Sequence, residues 1–272
     1  MKTGEKYDAC VGALKEFAEG AGFTDVVIGL SGGMDSTLVA AMCADAFGAE
    51  RVHGVLLPGP YSSEHSVEDA RELADNLGIR AEVVSICEPF EAFERVLARA
   101  CGGELKGLAA ENTQARCRMV CLMALSNAHG WMLVNTGNKS EAMMGYSTLY
   151  GDTAGAFAPI GGLYKSDVYA VARWRNERAE AEGAQPPIPE RVFAKPPSAE
   201  LSPDQEDEKS MGIDYDTLDK LLFAHIEQGL DAEGLVRAGF AERDVERVLR
   251  TVRATAFKRA LEPPSPDVEF YG

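Results

Sequence analysis

A stretch rich in glycine and serine, Gly29-Leu30-Ser31-Gly32-Gly33-Met34-Asp35-Ser36, is well suited to chemistry. It follows the apolar run Val26-Val27-Ile28 and precedes the helical run 38–42, so we expect a buried strand, a loop and a helix. Glycines let the backbone approach a ligand, and the first amides of a helix lack partners within it. The stretch therefore predicts a phosphate or pyrophosphate site, with hydroxyl donors and with Asp35 as a candidate metal ligand.

Plainer interpretations of this loop stay open. Gly-Gly is common in turns between strands and helices, and Asp35 could simply cap the helix that follows. The stretch also lacks the Gly-Lys-Ser/Thr ending of a Walker A loop, so transfer of a γ-phosphate is not implied.

The elements that must position this loop alternate along the first half of the chain. Apolar periodicity predicts strands over 25–30, 51–57, 80–86 and 131–134, and helices over 5–20, 35–47, 66–77, 88–100 and 111–128. The alternation of strand and helix implies parallel strands joined by right-handed crossovers. We therefore expect an α/β fold, with a Rossmann-like parallel sheet flanked by helices.

The second half of the chain predicts a helical C-terminal part within a single domain over 1–272. We expect a short helix over 139–144, an ordered loop over 145–165, and a helix over 167–182 with Ser166 as its N-cap. Further helices are expected over 215–228, 231–238 and 241–257, and an extended tail over 258–272. The proline-rich segment 183–210 is either a solvated linker or a mobile lid.

Composition limits the classes of partner. The 272 residues carry 27 basic and 43 acidic side chains, a net charge of −16, which argues against nucleic acid and anionic membranes. No stretch is apolar enough for a membrane helix and the N-terminus has no signal-like apolar core, so we expect a cytoplasmic protein. The six cysteines form no Cys-x-x-Cys pair and are expected to be buried thiols in a reducing compartment.

The loop after the first strand resembles the pyrophosphate loop of the N-type ATP pyrophosphatases, which cleave ATP between the α- and β-phosphates and attach AMP to a carbonyl oxygen. Other motifs choose among these enzymes: Gln114-Ala115-Arg116-Cys117-Arg118-Met119, Thr136-Gly137-Asn138-Lys139-Ser140-Glu141, residues 145–152, Pro197-Ser198-Ala199-Glu200-Leu201, and the acidic cluster 204–208. Together they resemble NAD synthetase, over about residues 5 to 265.

This resemblance implies an adenine nucleotide alpha-hydrolase-like fold, a homodimer and a specific reaction. Nicotinic acid adenine dinucleotide (deamido-NAD) is amidated with ammonia through an adenylated carboxyl, which consumes ATP with Mg²⁺ and gives NAD, AMP and pyrophosphate. Two alternatives stay open: another adenylating amidotransferase of the same superfamily, and a catalytically silent nucleotide-binding subunit.

The resemblance also assigns site residues. The positions that match ATP contacts of the family are Gly29, Leu30, Ser31, Gly32, Gly33, Met34, Asp35, Ser36, Thr136, Lys165 and Ser198. The positions that match the family's deamido-NAD site are Asn112, Arg116, Glu141, Tyr146, Leu149 and Lys258. Asp35 and Glu141 match the magnesium ligands, and these two with Lys165 are the expected catalytic residues.

Each assignment has a plainer alternative. Glu141 could be a solvated helix carboxylate, and Lys165 and Lys258 could be surface lysines. Arg116 and Arg118 could each pair with acidic neighbours at the surface. Gln205 and the three acidic residues after it, 206–208, are expected to be solvated as a group, with one member reaching the site when a lid closes. No catalytic role is assigned to the four histidines.

The sequence departs from its stand-alone relatives at two positions. Leu149 stands where many ammonia-using synthetases carry lysine, and Ala156 where they carry aspartate. Residues 146–152 and 197–201 look more like the synthetase half of bacterial glutamine-dependent enzymes, which carry an additional glutaminase domain of comparable length. We therefore expect a free synthetase domain that uses ammonia, or one supplied by a separate glutaminase.

Overall fold

The structure is a computed structural model that describes all 272 residues. Its sheet has four parallel strands: β1 (Val26–Gly29), β2 (Val52–Leu56), β3 (Arg80–Val83) and β4 (Met132–Leu133). The strand order is β3-β2-β1-β4, with Val26 of β1 opposite both Val52 and Met132. Strands β2 and β3 therefore extend the sheet on one side of β1, and β4 lies on the other side of β1. In such a sheet a ligand crevice opens at the carboxyl ends of the two strands where the direction reverses, here β1 and β4.

Thirteen α-helices surround and extend the sheet. The first five are α1 (Thr3–Ala21), α2 (Met34–Phe47), α3 (Glu64–Leu77), α4 (Cys87–Leu97) and α5 (Leu108–His129). They are followed by α6 (Lys139–Met144), α7 (Lys165–Ala181), α8 (Glu190–Ala194) and α9 (Asp207–Met211). The last four are α10 (Tyr215–Ile226), α11 (Ala232–Arg237), α12 (Glu242–Ala254) and α13 (Ala256–Arg259). A 3₁₀ turn, Ala49–Arg51, precedes β2.

Strand β1 shows how the sheet separates two apolar layers. Val26 and Ile28 belong to the large core under α1, α2 and α7, whereas Val27 belongs to the core under α4 and α5. This alternation follows from the two-residue period of a strand. A third core joins α6 to α10, α11 and α12. The expected α/β class, with parallel strands and a helical C-terminal part, is confirmed.

Two element boundaries in the second half of the chain differ from expectation because of contacts with distant elements. Helix α7 begins at Lys165 with Tyr164 at its N-cap, so the prediction of Ser166 as the cap is wrong. The amides of Lys165 and Ser166 bond to side chains of α6 and α10, which satisfies the first turn without a local cap. The tail was expected to be extended from residue 258, but Lys258 lies in α13 and bonds to carbonyls of Gly145 and Ser147.

The segment 183–210 is not a solvated linker. It contains α8 and the start of α9, and Ile188 and Val192 are buried in the large core. Arg191 holds it to α3 through an ion pair of 2.8 Å with the buried Asp69. Its proposed behaviour as a lid stays a prediction.

All six cysteines are free thiols. Cys10, Cys43 and Cys117 are buried as expected, and burial raises the pKa of Cys10 to about 12. Cys101 is exposed, because it lies in the glycine-rich turn after α4 and not in a core helix. None of the helices is both long and apolar enough to cross a membrane.

Candidate active site

A cavity of about 660 Å³ opens at the carboxyl ends of β1 and β4. Most residues that the sequence assigned to ligands line it: Gly29, Leu30, Ser31, Gly33, Met34, Asp35, Ser36, Asn112, Thr136, Glu141, Tyr146, Lys165, Ser198 and Lys258. Gly32, Arg116 and Leu149 do not. Among these assigned residues the cavity brings together positions that are up to 229 apart in the sequence, as Gly29 and Lys258 are.

The loop between β1 and α2 is shaped by its own hydroxyls. Ser36 accepts the Ser31 N–H at 3.2 Å and Ser31 accepts the Gly33 N–H at 3.2 Å. Gly32 has a φ of +74°, and a Cβ there would lie 2.2 Å from the carbonyl oxygen of Ser66, so only glycine fits. The loop therefore packs directly against the first turn of α3.

Helix α2 starts directly from this loop without a side-chain cap. Gly33 occupies the N-cap position, so Asp35 lies inside the first turn and the interpretation of Asp35 as a cap is wrong. The first amides of α2 have no partner within the helix, and the helix dipole adds partial positive charge at this end. This end of α2 is therefore equipped to bind phosphate groups.

Lys165 joins the two candidate metal ligands. Its side chain is 4% exposed, and its ammonium bonds to the carboxylate of Asp35 and, at 3.2 Å, to Glu141 Oε1. Burial opposes the charge, but Asp35 and Glu141 outweigh burial and raise the pKa of Lys165 above its usual range. The interpretations of Lys165 as a surface lysine and of Glu141 as a solvated carboxylate are therefore wrong.

The environment of Glu141 is half-buried and acidic. Tyr215 Oη lies 3.4 Å from Glu141 Oε1 and donates to it. Burial raises the pKa of Glu141, and the nearby carboxylates of Asp35 and Asp207 raise it further against the effect of Lys165. A cation that approaches this carboxylate is therefore strongly favoured.

The two carboxylates fit a magnesium ion. Their oxygens already converge on one cation, the Lys165 ammonium, and carboxylate oxygens are ligands that Mg²⁺ prefers. No third carboxylate, histidine or cysteine joins them in metal-binding geometry. The remaining ligands of an ion held here would be water and oxygens of a bound phosphate, as is usual for Mg²⁺.

Sequence reasoning missed several side chains of this site. Asn138 is fully buried, caps α6 by accepting the Glu141 N–H at 3.0 Å, and donates to Asp35 at 2.9 Å. The signal for this cap was available, because Asn followed three residues later by Glu is a typical helix start. No comparable local signal marks Tyr215.

Asp207 was not named among the site residues, although one member of residues 205–208 was expected to reach the site. Residues 205–208 were expected to be solvated as a group, but Asp207 is 5% exposed and lines the cavity. The Tyr146 hydroxyl donates to its carboxylate at 3.2 Å, and burial raises the pKa of Asp207. The expectation fails because α9 begins at Asp207 and turns that one side chain inward.

The two arginines of α5 have different surroundings. Arg118 is half-buried, lines the cavity and donates from Nε to the Leu57 carbonyl at 3.0 Å, whereas Arg116 is exposed outside the cavity and donates to the Leu149 carbonyl at 3.1 Å. Residues two apart on a helix face nearly opposite directions, which explains the difference. Neither forms the surface ion pair considered from the sequence.

The loop 145–152 forms the far wall. Asn112 accepts the Thr148 hydroxyl at 2.7 Å, and the Lys258 ammonium donates to the Gly145 carbonyl at 2.7 Å and to the Ser147 carbonyl at 2.5 Å. Lys258 is therefore not a free surface lysine, and its ammonium orders this loop.

The segment 195–205 closes one side of the cavity. Glu200 accepts hydrogen bonds from the Ser63 N–H at 3.1 Å, the Ser63 hydroxyl at 2.9 Å and the Ser66 hydroxyl at 2.7 Å, and pairs with Lys195. Ser198 donates to the Gln205 carbonyl at 2.6 Å. Glu200 thus fastens the segment to the N-terminus of α3.

Comparison with known proteins places this arrangement in a family. A glutamine-dependent NAD(+) synthetase of Thermotoga maritima is 45% identical over 95% of this chain and 44% of its own, so the chain spans about half the length of this relative. An NH3-dependent NAD synthetase of Campylobacter jejuni, solved with nitrate, has a TM-score of 0.75 at 28% identity and covers 95% of this chain and 96% of its own. An NMN synthetase of Francisella tularensis has a TM-score of 0.76 at 28% identity with the same coverages. Residues 6–262 match the family described as NAD synthase, and the chain belongs to that family.

Proposed function

We propose that this chain amidates deamido-NAD with ammonia, in an ATP- and Mg²⁺-dependent reaction that gives NAD, AMP and pyrophosphate. The observation that carries the proposal is the convergence of Asp35, Glu141 and Lys165 beside the glycine loop. The same set would serve another adenylating amidotransferase, so the choice of substrate rests on family membership.

The proposed reaction has two steps. A carboxylate oxygen of the pyridine ring attacks the α-phosphorus of ATP, the bond to the β-phosphate oxygen breaks, and pyrophosphate leaves. Ammonia then attacks the adenylated carbonyl, AMP leaves with the oxygen it had bonded, and one proton is released. Both steps bring charged or polar groups together, so catalysis depends on fixed positive charge and on exclusion of water.

The residues divide this work. The amides at the start of α2 and the hydroxyls of the glycine loop bind the phosphates, and Lys165 is poised to turn from its two carboxylates towards phosphate oxygens. Asp35 and Glu141 would hold Mg²⁺, which would supply charge that offsets the repulsion between the substrate carboxylate and the triphosphate. The segment 195–205 excludes water when it covers the cavity. Thr136, Ser198 and the loop 145–152 bind the remaining parts of the two nucleotides.

Ammonia is the proposed donor for this chain alone, since an NH3-dependent synthetase matches it over nearly its full length. The glutamine-dependent relatives are about twice as long, so a separate glutaminase is a second possible source of ammonia. The homodimer and the cytoplasmic location are part of the same proposal and rest on family resemblance and composition.

One assay tests the function. The chain is incubated with ATP, Mg²⁺, deamido-NAD and either ammonium or glutamine, and NAD and AMP are quantified. A parallel arm replaces deamido-NAD with nicotinic acid mononucleotide, because an NMN synthetase is among the similar structures. Asp35→Ala serves as the inactive variant, and Asp216→Ala, which changes an exposed carboxylate on α10, serves as its control.

The outcomes separate the candidates. NAD formed with ammonium, and absent with Asp35→Ala, supports the proposal. AMP formed with another carboxylate but no NAD identifies a different amidotransferase, and NMN formed in preference to NAD identifies a mononucleotide substrate. ATP binding without any turnover supports the silent subunit. Near wild-type turnover of Asp35→Ala at saturating Mg²⁺ contradicts the role of Asp35.

A further inference from the structure

Asp219 on α10 is a buried carboxylate outside the residues assigned to ligands. It is 4% exposed, forms no ion pair, and does not line the cavity. One oxygen accepts the Ser140 hydroxyl and the other accepts the Ser166 N–H at 2.7 Å. Burial of a carboxylate without an ion pair costs free energy, so its presence here indicates a structural or functional role.

The two partners of Asp219, Ser140 and Ser166, belong to the two helices that carry Glu141 and Lys165. Ser140 also accepts the Lys165 N–H at 2.9 Å, so the bonds of Asp219 and Ser140 join the first turn of α6 to the first turn of α7. Glu141 follows Ser140 on α6, and Lys165 begins α7. The junction therefore lies directly beneath the contact between the Lys165 ammonium and the Glu141 carboxylate.

A carboxylate suits this position because it faces two donors, the Ser140 hydroxyl of α6 and the Ser166 N–H in the first turn of α7. The partial positive charge at the N-terminus of α7 also favours an anion at this point. Neutral side chains could accept one bond from each helix, but an ionised carboxylate accepts both at once with stronger hydrogen bonds. The fully buried Ser140 excludes water that could replace these bonds.

We infer that Asp219 is a positioning residue for the proposed reaction: through Ser140 and Ser166 it fixes the separation of the Lys165 ammonium and the Glu141 carboxylate. The inference rests on the proposed function. It assigns Asp219 no contact with substrate. It predicts that the loss of this carboxylate damages the site more than the stability lost would explain.

The test compares three variants by Mn²⁺–ATP affinity, measured by electron paramagnetic resonance, and by NAD turnover. Asp219→Ala removes both acceptors, and we expect a loss of about 10- to 100-fold in turnover, since misplacement of a catalytic group by about 1 Å has effects of this size. Asp219→Asn can still accept from Ser166 and donate to Ser140, so it should retain turnover within about threefold of wild type. Turnover near the wild-type value in Asp219→Asn is expected only if the hydrogen bonds to Ser140 and Ser166 are what matters.

Asp214→Ala is the matched control. Asp214 caps the same helix α10 by accepting the Thr217 N–H at 2.8 Å, but it contacts neither α6 nor α7. This variant should lower the melting temperature while leaving Mn²⁺–ATP affinity within about twofold of wild type. If it weakens affinity as much as Asp219→Ala does, general destabilisation of α10 explains both variants and the inference is wrong.

A double-mutant cycle with Lys165→Met tests the route of the effect. If Asp219 acts through Lys165, the fold-loss in Mn²⁺–ATP affinity caused by Asp219→Ala should be smaller in the Lys165→Met background than in the wild type. An equal fold-loss in both backgrounds would overturn the inference. Hydrogen exchange of the Lys165 and Ser166 amides, which needs no ligand, should accelerate in Asp219→Ala but not in Asp214→Ala.

Failure of the proposed function and failure of the inference are distinguishable. The first appears in the wild-type chain as the absence of NAD from deamido-NAD and ammonium. The second appears as unchanged amide exchange and unchanged Mn²⁺–ATP affinity in Asp219→Ala, whatever product the wild type makes.

Discussion

The Asn138 side chain donates a hydrogen bond from Nδ2 to Asp35 Oδ1 at 2.9 Å, and so ties the turn after β4 to the first turn of α2. Its Oδ1 accepts the Glu141 N–H at 3.0 Å. One buried amide therefore orients both candidate metal ligands, which come from opposite sides of the point where the sheet reverses direction.

Two substitutions at Asn138 separate its two roles. Asn138→Ser keeps a residue that caps helices well but cannot reach Asp35, whereas Asn138→Ala loses both contacts. We expect both variants to lower NAD turnover about tenfold because Asp35 loses its orientation. Only Asn138→Ala should lose a further ~1 kcal/mol of unfolding free energy in urea titrations. Wild-type turnover in Asn138→Ser would contradict the orienting role.

The Lys165 ammonium lies between the carboxylates of Asp35 and Glu141 and contacts both. In Lys165→Met the two carboxylates lose this ammonium, so Mn²⁺ without nucleotide should bind about tenfold more tightly than to the wild type at pH 8. NAD turnover should nevertheless fall, since the proposed contact of Lys165 with phosphate is lost. Lys195→Met, which removes an ammonium that pairs with Glu200, is the control and should leave the affinity for Mn²⁺ unchanged. Equal affinities in wild type and Lys165→Met would show that the ammonium does not compete with the metal.

The lowered pKa of Glu200 predicts that its contribution to the free energy of unfolding depends on pH. Burial raises the pKa of Glu200, but hydrogen bonds from Ser66 and Ser63 and the pairing with Lys195 outweigh burial and hold this pKa below its usual value. A lowered pKa means that the stabilisation is complete above the ordinary glutamate value near ~4.3 and is lost as the pH falls through the lowered folded value.

Glu200→Gln should therefore cost about 1–3 kcal/mol of unfolding free energy at pH 7, and the difference from wild type should shrink below about pH 4. Denaturant titrations at several pH values measure it. Glu190→Gln, which changes an exposed carboxylate of the same segment, should show no comparable loss. A difference that stays constant down to pH 3 would exclude ionised Glu200 as the cause.

If residues 183–210 form a lid, bound ligands should protect this segment from proteolysis. Arg191 and Lys209 offer trypsin sites on either side of residues 195–205, the part of the segment that closes one side of the cavity. Cleavage there should slow when ATP and deamido-NAD are both bound, because the segment must stay closed to exclude water. Mass spectrometry of timed digests identifies the cut bonds. The same cleavage rate with and without ligands would refute the lid.

Leu149→Lys tests whether the substrate site is complete without the lysine of many stand-alone synthetases. The Leu149 side chain does not line the cavity, and its carbonyl is held by Arg116 at 3.1 Å. We expect the KM for deamido-NAD to change by no more than about twofold, as measured by initial rates. A severalfold decrease in KM without loss of turnover would show that the wild-type site lacks a contact.

Local sequence patterns predicted much of the fold. The strand, glycine loop and helix at 25–47 are encoded by neighbouring residues: apolar runs of the right length, and a glycine where a side chain would strike Ser66. The predicted parallel strands and the class of fold follow from the same local periodicity. The end of the strand prediction at residue 86 was too late, because β3 pairs with β2 only over four residues.

The start of α7 shows where local patterns fail. Ser166 is a good cap by type, yet the helix begins two residues earlier than predicted because partners from α6 and α10 satisfy its first amides. Those partners are 25 and 53 positions away in sequence. The burial of Asp207 and the difference between Arg116 and Arg118 depend in the same way on distant packing.

The sequence by itself determined an anion-binding loop at the end of a buried strand and, through its motifs, the family of the chain. Only the tertiary structure decided that Asp35, Glu141 and Lys165 share one charge cluster, and that Asn138 and Asp219 support it. The physical reason is that hydrophobic periodicity and turn chemistry act between neighbours in sequence. The strand order and the burial of charge depend instead on contacts between elements that no local pattern records.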